Sequence, residues 1–300
     1  MTRNIRGLTL ALAGLAMTPA LAAQTGPLYI TEYTVTPTAG EMVEIYNPGP
    51  GAVDLTDVYI TDATFAGGGT YYYNIVDGDP GGGGFGDFTA RFPAGASIAP
   101  GEYQTVAFAD ADGAEGFFNT YGVLPTYECI GDGGVDNLAV PDMLEAIPGS
   151  INFGGGLTNS GEVVVLFSWD GASDLVTDLD YVMWGDAAEA IDKTGVAKDG
   201  PDADSDPSTY LPDTAVGLQD FMPPHAFGNS AQRLFLSEGT ETSTGGNGVD
   251  GNDESSENWT ATWIEGPYTP NASTAGSVSL IVTQATSGLW DFSVSGGNER

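Results

Sequence analysis

The residues best suited to chemistry in this sequence are carboxylates. Asp202, Asp204 and Asp206 alternate through an acidic stretch, and Asp213 follows where an EF-hand-type loop would place its closing ligand. Calcium takes hard oxygen ligands at alternate positions of a pliable loop, so Asp202, Asp204, Asp206 and Asp213 form the candidate metal site and calcium is the expected ion. The stretch is not an EF-hand, because Pro207 stands where the turn glycine belongs and no helical pattern flanks it. An acidic loop that only solvates the chain fits the same residues. Asp250, Asn252 and Glu254 form a weaker copy, and Asp110 with Asp112 a weaker one still.

Other chemistries lack their parts. One cysteine, Cys129, and one histidine, His225, cannot furnish a closed zinc set or a Ser-His-Asp triad, and nothing in the sequence pairs the two. Gly81 to Gly84 is a surface-loop signal and not a phosphate loop, since no Gly-Lys-Ser/Thr and no helix pattern follow it. Glu32 and Glu44 fall in neighbouring predicted strands, where two carboxylates could do acid and base work or could hydrogen-bond the framework. No cleft-forming partners accompany them, so the framework role is expected, and no catalytic residue is assigned. Arg233, one of few cations, is expected to pair with a framework carboxylate, and Asn47 is expected to serve a turn.

Composition sets the address. The chain has 300 residues with 41 acidic and 7 basic side chains, a formal charge of −34. A field of that sign repels phosphate backbones and excludes nucleic acid as a partner. Arg3 and Arg6, the apolar run Leu8 to Met17 and the small-residue site Ala20-Leu21-Ala22 read as a signal peptide over residues 1–22. Secretion or display at the cell surface is therefore expected. That run is short for a permanent span and no later segment approaches the needed length, so no transmembrane anchor is expected in the mature chain.

The elements that must position these groups read as strands. Leu28 to Val35, Met42 to Tyr46 and Val53 to Ile60 are rich in Ile, Val, Tyr and Thr and are separated by Pro- and Gly-bearing turns. Tyr71 to Val76 reads as a short aromatic strand, and Ala99-Pro100-Gly101 turns the chain into an alternating strand from Glu102 to Ala109. Ala114 to Tyr121 has the spacing of a short helix stopped by Gly122, and Met143 to Ala146 reads as a turn of helix. Val163 to Trp169 is a continuous apolar strand, and Leu175 to Trp184 returns after Asp170-Gly171 as its hairpin partner. Ala231 to Leu236 reads as a later strand, Trp259 to Ile264 is apolar enough to dock on the core, and two β-like segments, Ser277 to Thr283 and Leu289 to Val294, close the chain. Most of the aromatic residues, among them Tyr71, Tyr72, Tyr73, Trp169, Trp184, Trp259 and Trp263, are expected in the core.

The order of these signals resembles the lamin-tail domain. The resemblance is carried by Ile30-Thr31-Glu32, by Val43-Glu44-Ile45-Tyr46-Asn47-Pro48 with Val53-Asp54-Leu55, and by Ile98-Ala99-Pro100-Gly101-Glu102. It continues in Leu157-Thr158-Asn159-Ser160-Gly161-Glu162 with Asp180-Tyr181, in Ser230-Ala231-Gln232-Arg233, and in Asn258-Trp259 with Tyr268-Thr269-Pro270-Asn271. Ala231 departs from the pattern, which usually has a bulky apolar residue there. The resemblance implies an all-β fold, an immunoglobulin-like antiparallel β-sandwich spanning residues 28–275. Insertions are expected near 63–96, 128–156, 185–229 and 237–258, and residues 276–300 form a β-like tail of unassigned role. The family has no single activity, and a fold does not confer one. The expectation is a non-catalytic exported module whose acidic loops meet an extracellular protein or polysaccharide. An accessory component of an extracellular hydrolase and a carbohydrate-binding module are the alternatives.

Overall fold

The computed structural model describes residues 27–64, 71–79, 87–108, 113–130, 134–151, 155–234 and 243–271, and the backbone of 279–284 and 290–295. The signal-peptide segment 1–22, the glycines 81–84, and Asp110 and Asp112 lie outside the described residues.

In chain order the elements are β1 (Tyr29–Thr34), β2 (Met42–Tyr46), β3 (Val53–Asp54), β4 (Val58–Thr61), β5 (Thr89–Arg91), β6 (Ser97–Ile98), β7 (Tyr103–Ala107) and helix α1 (Gly113–Tyr121). They continue with β8 (Tyr127–Glu128), β9 (Leu144–Glu145), β10 (Glu162–Ser168), β11 (Thr177–Trp184), β12 (Ala197–Lys198), β13 (Ser208–Thr209) and β14 (Asn229–Arg233). The one-turn helix α2 (Trp259–Thr262), β15 (Trp263–Pro267), β16 (Ser279–Gln284) and β17 (Trp290–Ser295) close the series. A six-stranded sheet runs β15-β14-β1-β2-β7-β8, and a five-stranded sheet runs β11-β10-β4-β5-β9. All neighbours are antiparallel except β7 and β8. The expected immunoglobulin-like β-sandwich is thus the observed fold, with the β10–β11 hairpin and helix α1 where the sequence puts them.

Two local expectations are corrected. Residues 72–77 form a 3-10 helix, with Tyr72, Tyr73, Ile75 and Val76 buried. Tyr72 with Ile75 and Tyr73 with Val76 bury at a spacing of three, which a helical turn provides and a strand's period of two does not. Leu144–Glu145 is a strand at the sheet edge, pairing with Arg91 and Ala90, and not a turn of helix.

The inner faces hold Tyr33, Val43, Ala231 and Val106 from one sheet and Ile60, Leu166 and Val182 from the other, all buried. Tyr33 stacks on Trp184 with ring centroids 4.5 Å apart, a contact of the kind worth about 1 kcal/mol beyond its area. The outer face of the larger sheet is also covered. Met42 and Ala107 on it pack against Phe117 of α1, and Tyr121 joins them. The helix comes so close that a Cβ on Gly40 would lie 2.7 Å from Thr120. Tyr121 then donates its hydroxyl hydrogen bond to the Gly40 carbonyl.

A buried ion cluster joins the sheets. Arg233 on β14 reaches both carboxylate oxygens of Asp180 on β11, at 2.7 and 2.6 Å, and Glu257 at 2.9 Å. Its Nε donates to the Ile30 carbonyl, whose own N–H donates to Asp180. Burial pushes Asp180 up to about 7 against the pull of Arg233, and Glu257 adds to the rise. Replacing Arg233 by Met leaves two buried carboxylates without their cation, and we expect a loss of about 3–5 kcal/mol, read as a lower urea midpoint.

Glu162 opens β10 near Asp62, which follows β4. Burial pushes Glu162 up to about 8, with Glu189 and Asp87 adding to the rise. Asp62 is raised well above its ordinary value, by burial first and Glu162 second. A folded carboxyl that holds its proton more tightly than the unfolded one contributes stability that is full below about pH 4 and is lost as pH rises through about 8. Glu162→Gln keeps the proton-bearing shape, so the variant should gain about 1–3 kcal/mol over the parent at pH 8 and almost nothing at pH 4.5, measured by thermal melts across that range.

Candidate functional site

The acidic stretch is the tip of the β12–β13 hairpin, in which Lys198 pairs with Ser208. Asp174, in the turn between β10 and β11, accepts hydrogen bonds from Gly200 N at 2.8 Å and Ser208 Oγ at 2.7 Å and so ties the tip to that turn. These two bonds hold Asp174 below the usual carboxylate range. The result is a group of Asp174, Asp199 and Asp202 whose oxygens lie within 4.8 Å of one another. Partial desolvation, then Asp174, Asp202, Asp204 and Asp206, raise Asp199. Asp204 N donates to Asp202 Oδ1 and Asp206 N to Asp204 Oδ1, both at 3.0 Å. Of the four residues read from the sequence as calcium ligands, Asp202 sits in this group and Asp204 and Asp206 continue its loop. Sequence spacing could not find Asp174, which arrives from another turn.

Asp213 is held elsewhere. Its Oδ2 accepts from Lys193 N at 2.7 Å and lies 2.9 Å from Lys193 Nζ, and its Oδ1 accepts from Asn247 Nδ2 at 2.6 Å. Lys193 Nζ also reaches Asp178 Oδ2 at 2.7 Å, and Tyr72 donates to Asp178 Oδ1 at 2.6 Å. All three charged side chains are buried. Burial opposes the ammonium charge, yet Asp178 and Asp213 hold Lys193 above its ordinary value, while burial raises Asp178 against the pull of Lys193. Lys193 is one of only 7 basic residues, and that scarcity was the signal available for it.

A second carboxylate group joins Glu128, Asp136 and Asp142. Glu128 is committed to the framework, accepting from Ala114 N at the start of α1 and from Asn137 N, each at 2.8 Å. Of the weaker acidic copy, Asp250 stands at φ 57° and Glu254 is buried. Glu32 and Glu44 do lie opposite each other on β1 and β2. Glu32 accepts from Ser230 Oγ, Thr269 N and Thr269 Oγ1, and Glu44 from Thr31 Oγ1 and Asn271 N. Both carboxylates therefore tie the segment after β15 to the sheet. Asn47 closes its turn by donating to Gly51 O and Ile98 O and accepting from Gly49 N.

Trp169 lies half-buried in a groove of about 270 Å³ with Asp54, Asp57, Asp170, Ser173 and Leu175. Trp184 and Trp259 are fully buried and donate to Thr158 O and Tyr181 O. Tyr71 and Tyr73 stack on each other with centroids 5.3 Å apart, so the pair does not present side-by-side rings.

An antiparallel two-sheet sandwich, with Glu32, Glu44, Asp180 and Asn47 spent on framework bonds and a further acidic group at a hairpin tip, defines a class of immunoglobulin-like β-sandwich modules. The chain belongs to the lamin tail domain family, whose model matches residues 22–182, more than half of the sequence. The match ends inside β11, and β14 and β15, which complete the larger sheet, follow it. No curated protein matches the chain. Among solved structures, a DUF4876 family protein from Bacteroides thetaiotaomicron is similar at 14% identity and a TM-score of 0.38, over 82% of this chain and 69% of that one. Among the described residues no helix is long and apolar enough to cross a membrane.

The family is a non-enzymatic one, and the two residues most often nucleophile and base are engaged in structure. His225 Nε2 accepts from Val35 N at 2.8 Å, which places the ring proton on Nδ1, 3.1 Å from Ala226 O. Burial lowers its pKa, so the ring is a neutral peg. Cys129 is fully buried, and burial, with Asp62 and Asp142 nearby, pushes its thiol up. A disulfide reagent at pH 8 should leave the native protein unlabelled over hours and titrate one thiol once it is unfolded.

Proposed function

We propose that this chain is a non-catalytic module that acts outside the cell, and that calcium orders the loop tip it presents to a partner. The observation that supports this reading is the convergence of Asp174, Asp199 and Asp202 from two separate loops. Three carboxylates with Asp204 and Asp206 alongside suit a hard cation, and a divalent ion would relieve the mutual repulsion that raises Asp199. The turn that supplies Asp174 also supplies Ser173 and Leu175 to the Trp169 groove. An ion held at the tip would therefore stiffen one wall of that groove. The strongly acidic charge supports export into surroundings where divalent ions screen it.

A carbohydrate partner is the favoured class of ligand. Trp169 gives the groove an apolar ring face, and Asp54, Asp57 and Asp170 offer acceptors for hydroxyl groups. Neither reading needs a reaction.

Binding to the native state alone raises the melting temperature. Calcium at about 100 times its Kd should add about 2.7 kcal/mol, and Asp199→Asn together with Asp202→Asn should remove the shift. An identical melt in millimolar calcium and in chelator would exclude the ion. A glycan array probed with the calcium-loaded protein and its Trp169→Ala variant then tests the groove, with loss of retention on the variant expected.

A further inference from the structure

The Lys193 site is built more elaborately than an ion pair requires. One lysine, buried, stands between two buried carboxylates at 2.7 and 2.9 Å. Lys193 Nζ lies 5.9 Å from the ring centres of both Tyr72 and Tyr210, which help keep water from it. The three charges sum to one negative in an apolar interior, a costly arrangement. It would be eased if one positive and one negative charge were removed together.

We propose that Lys193 and Asp178 condense to an intramolecular amide, so that the folded chain carries a covalent cross-link between β11 and the loop after it. Asp213 takes a proton from the Lys193 ammonium and passes it to Asp178, leaving a neutral amine beside a neutral carboxylic acid. The amine lone pair attacks Cγ of Asp178. Tyr72, donating to Oδ1 at 2.6 Å, stabilises the oxygen on which negative charge develops. Asp213 then removes a proton from the nitrogen and delivers it to the departing oxygen of Asp178. A C–N bond forms, a C–O bond breaks, one water leaves, and Asp213 ends as it began. No oxidant or co-reactant enters. Burial favours the neutral forms of both partners and works against the hold that the two carboxylates keep on the ammonium, so the proton is moved by Asp213, which touches Nζ at 2.9 Å.

The parts are fixed for this purpose. Asn247 Nδ2 and the Lys193 amide hold Asp213 at its two oxygens, so it cannot swing away from Nζ. Holding the groups in place supplies the effective concentration that condensation in water lacks. A chain with a single cysteine cannot close a disulfide within itself. An amide between side chains gives the same restraint on the unfolded state.

The full-length purified protein, denatured and digested with trypsin, reads the bond directly. The expected product is one fragment, residues 92–198, uncut after Lys193 and lighter than its sequence mass by one water, with fragmentation placing the link at Asp178. Fragments 92–193 and 194–198 at full mass would overturn the proposal. Asp178→Ala and Lys193→Arg should each keep the water. Asp213→Asn, checked for folding by circular dichroism, should lose the cross-link while keeping the fold, and its retention in that variant would overturn the role of Asp213. Should these variants fail to fold, the parent digest alone decides.

Discussion

The sandwich depends on one buried cation. Arg233 has its guanidinium shared between Asp180 and Glu257 and its Nε on the Ile30 carbonyl, so a single side chain ties β14, β11, β1 and the loop before α2. The rings of Trp263 and Tyr29 face it with centroids 5.2 and 5.5 Å away. Apolar packing alone would let two sheets slide or rotate at modest cost, because dispersion contacts have little direction. A bidentate guanidinium fixes both distance and angle. The cluster therefore sets how the sheets face each other more than how strongly they adhere, since a buried pair gains little over well-packed apolar groups.

A bulge in β11 lets the same strand serve two layers. Leu166 pairs with Asp180 and Phe167 with Asp178, so Leu179 is the extra residue. Neighbouring positions on β10 face opposite ways, and their partners Asp178 and Asp180 must do the same. In an unbroken strand both would share a face. The bulge aims Asp180 inward at Arg233 on the other sheet and Asp178 outward at Lys193 in the loop layer. Two of the few cations in this acidic chain are thus set on the two sides of one strand.

How far the sequence could be read follows from what each residue's position depended on. The strands were legible because their Val, Ile and Tyr content and their Pro-Gly turns act over a few residues. The framework roles of Glu32, Glu44, Asn47 and Arg233 were legible as types, though not their partners. Asp213 was misplaced because spacing along the chain was taken for spacing around an ion. The β12–β13 hairpin closes the loop short of Asp213, and the buried ammonium of Lys193, far back in sequence, captures it. Asp174 was invisible for the complementary reason, since only the folded turn brings it to Asp199. The six-residue run of β1 is buried throughout despite its Thr31, Glu32 and Thr34, because α1 and the segment after β15 cover a face that alternation alone would assign to solvent.

That covering decides where contact with another molecule can occur. Among the described residues the larger sheet is lidded by α1 and the segment after β15, and the smaller one is packed by the 72–77 helix and the loops holding Ile191, Tyr210 and Met222. Among the described residues the exposed positions lie on edge strands, such as Leu144 and Glu145 of β9 and Ile264 and Glu265 of β15, and on loop tips, where the tip of the β12–β13 hairpin gathers carboxylates from two turns. The scaffold buries Lys193 and Arg233 together with their carboxylate partners and carries further carboxylates at the rim, so it presents an acidic, short-range field to the surroundings. The half-buried ring of Trp169, beside the turn that carries Asp174, adds to that rim an apolar face that charge does not supply.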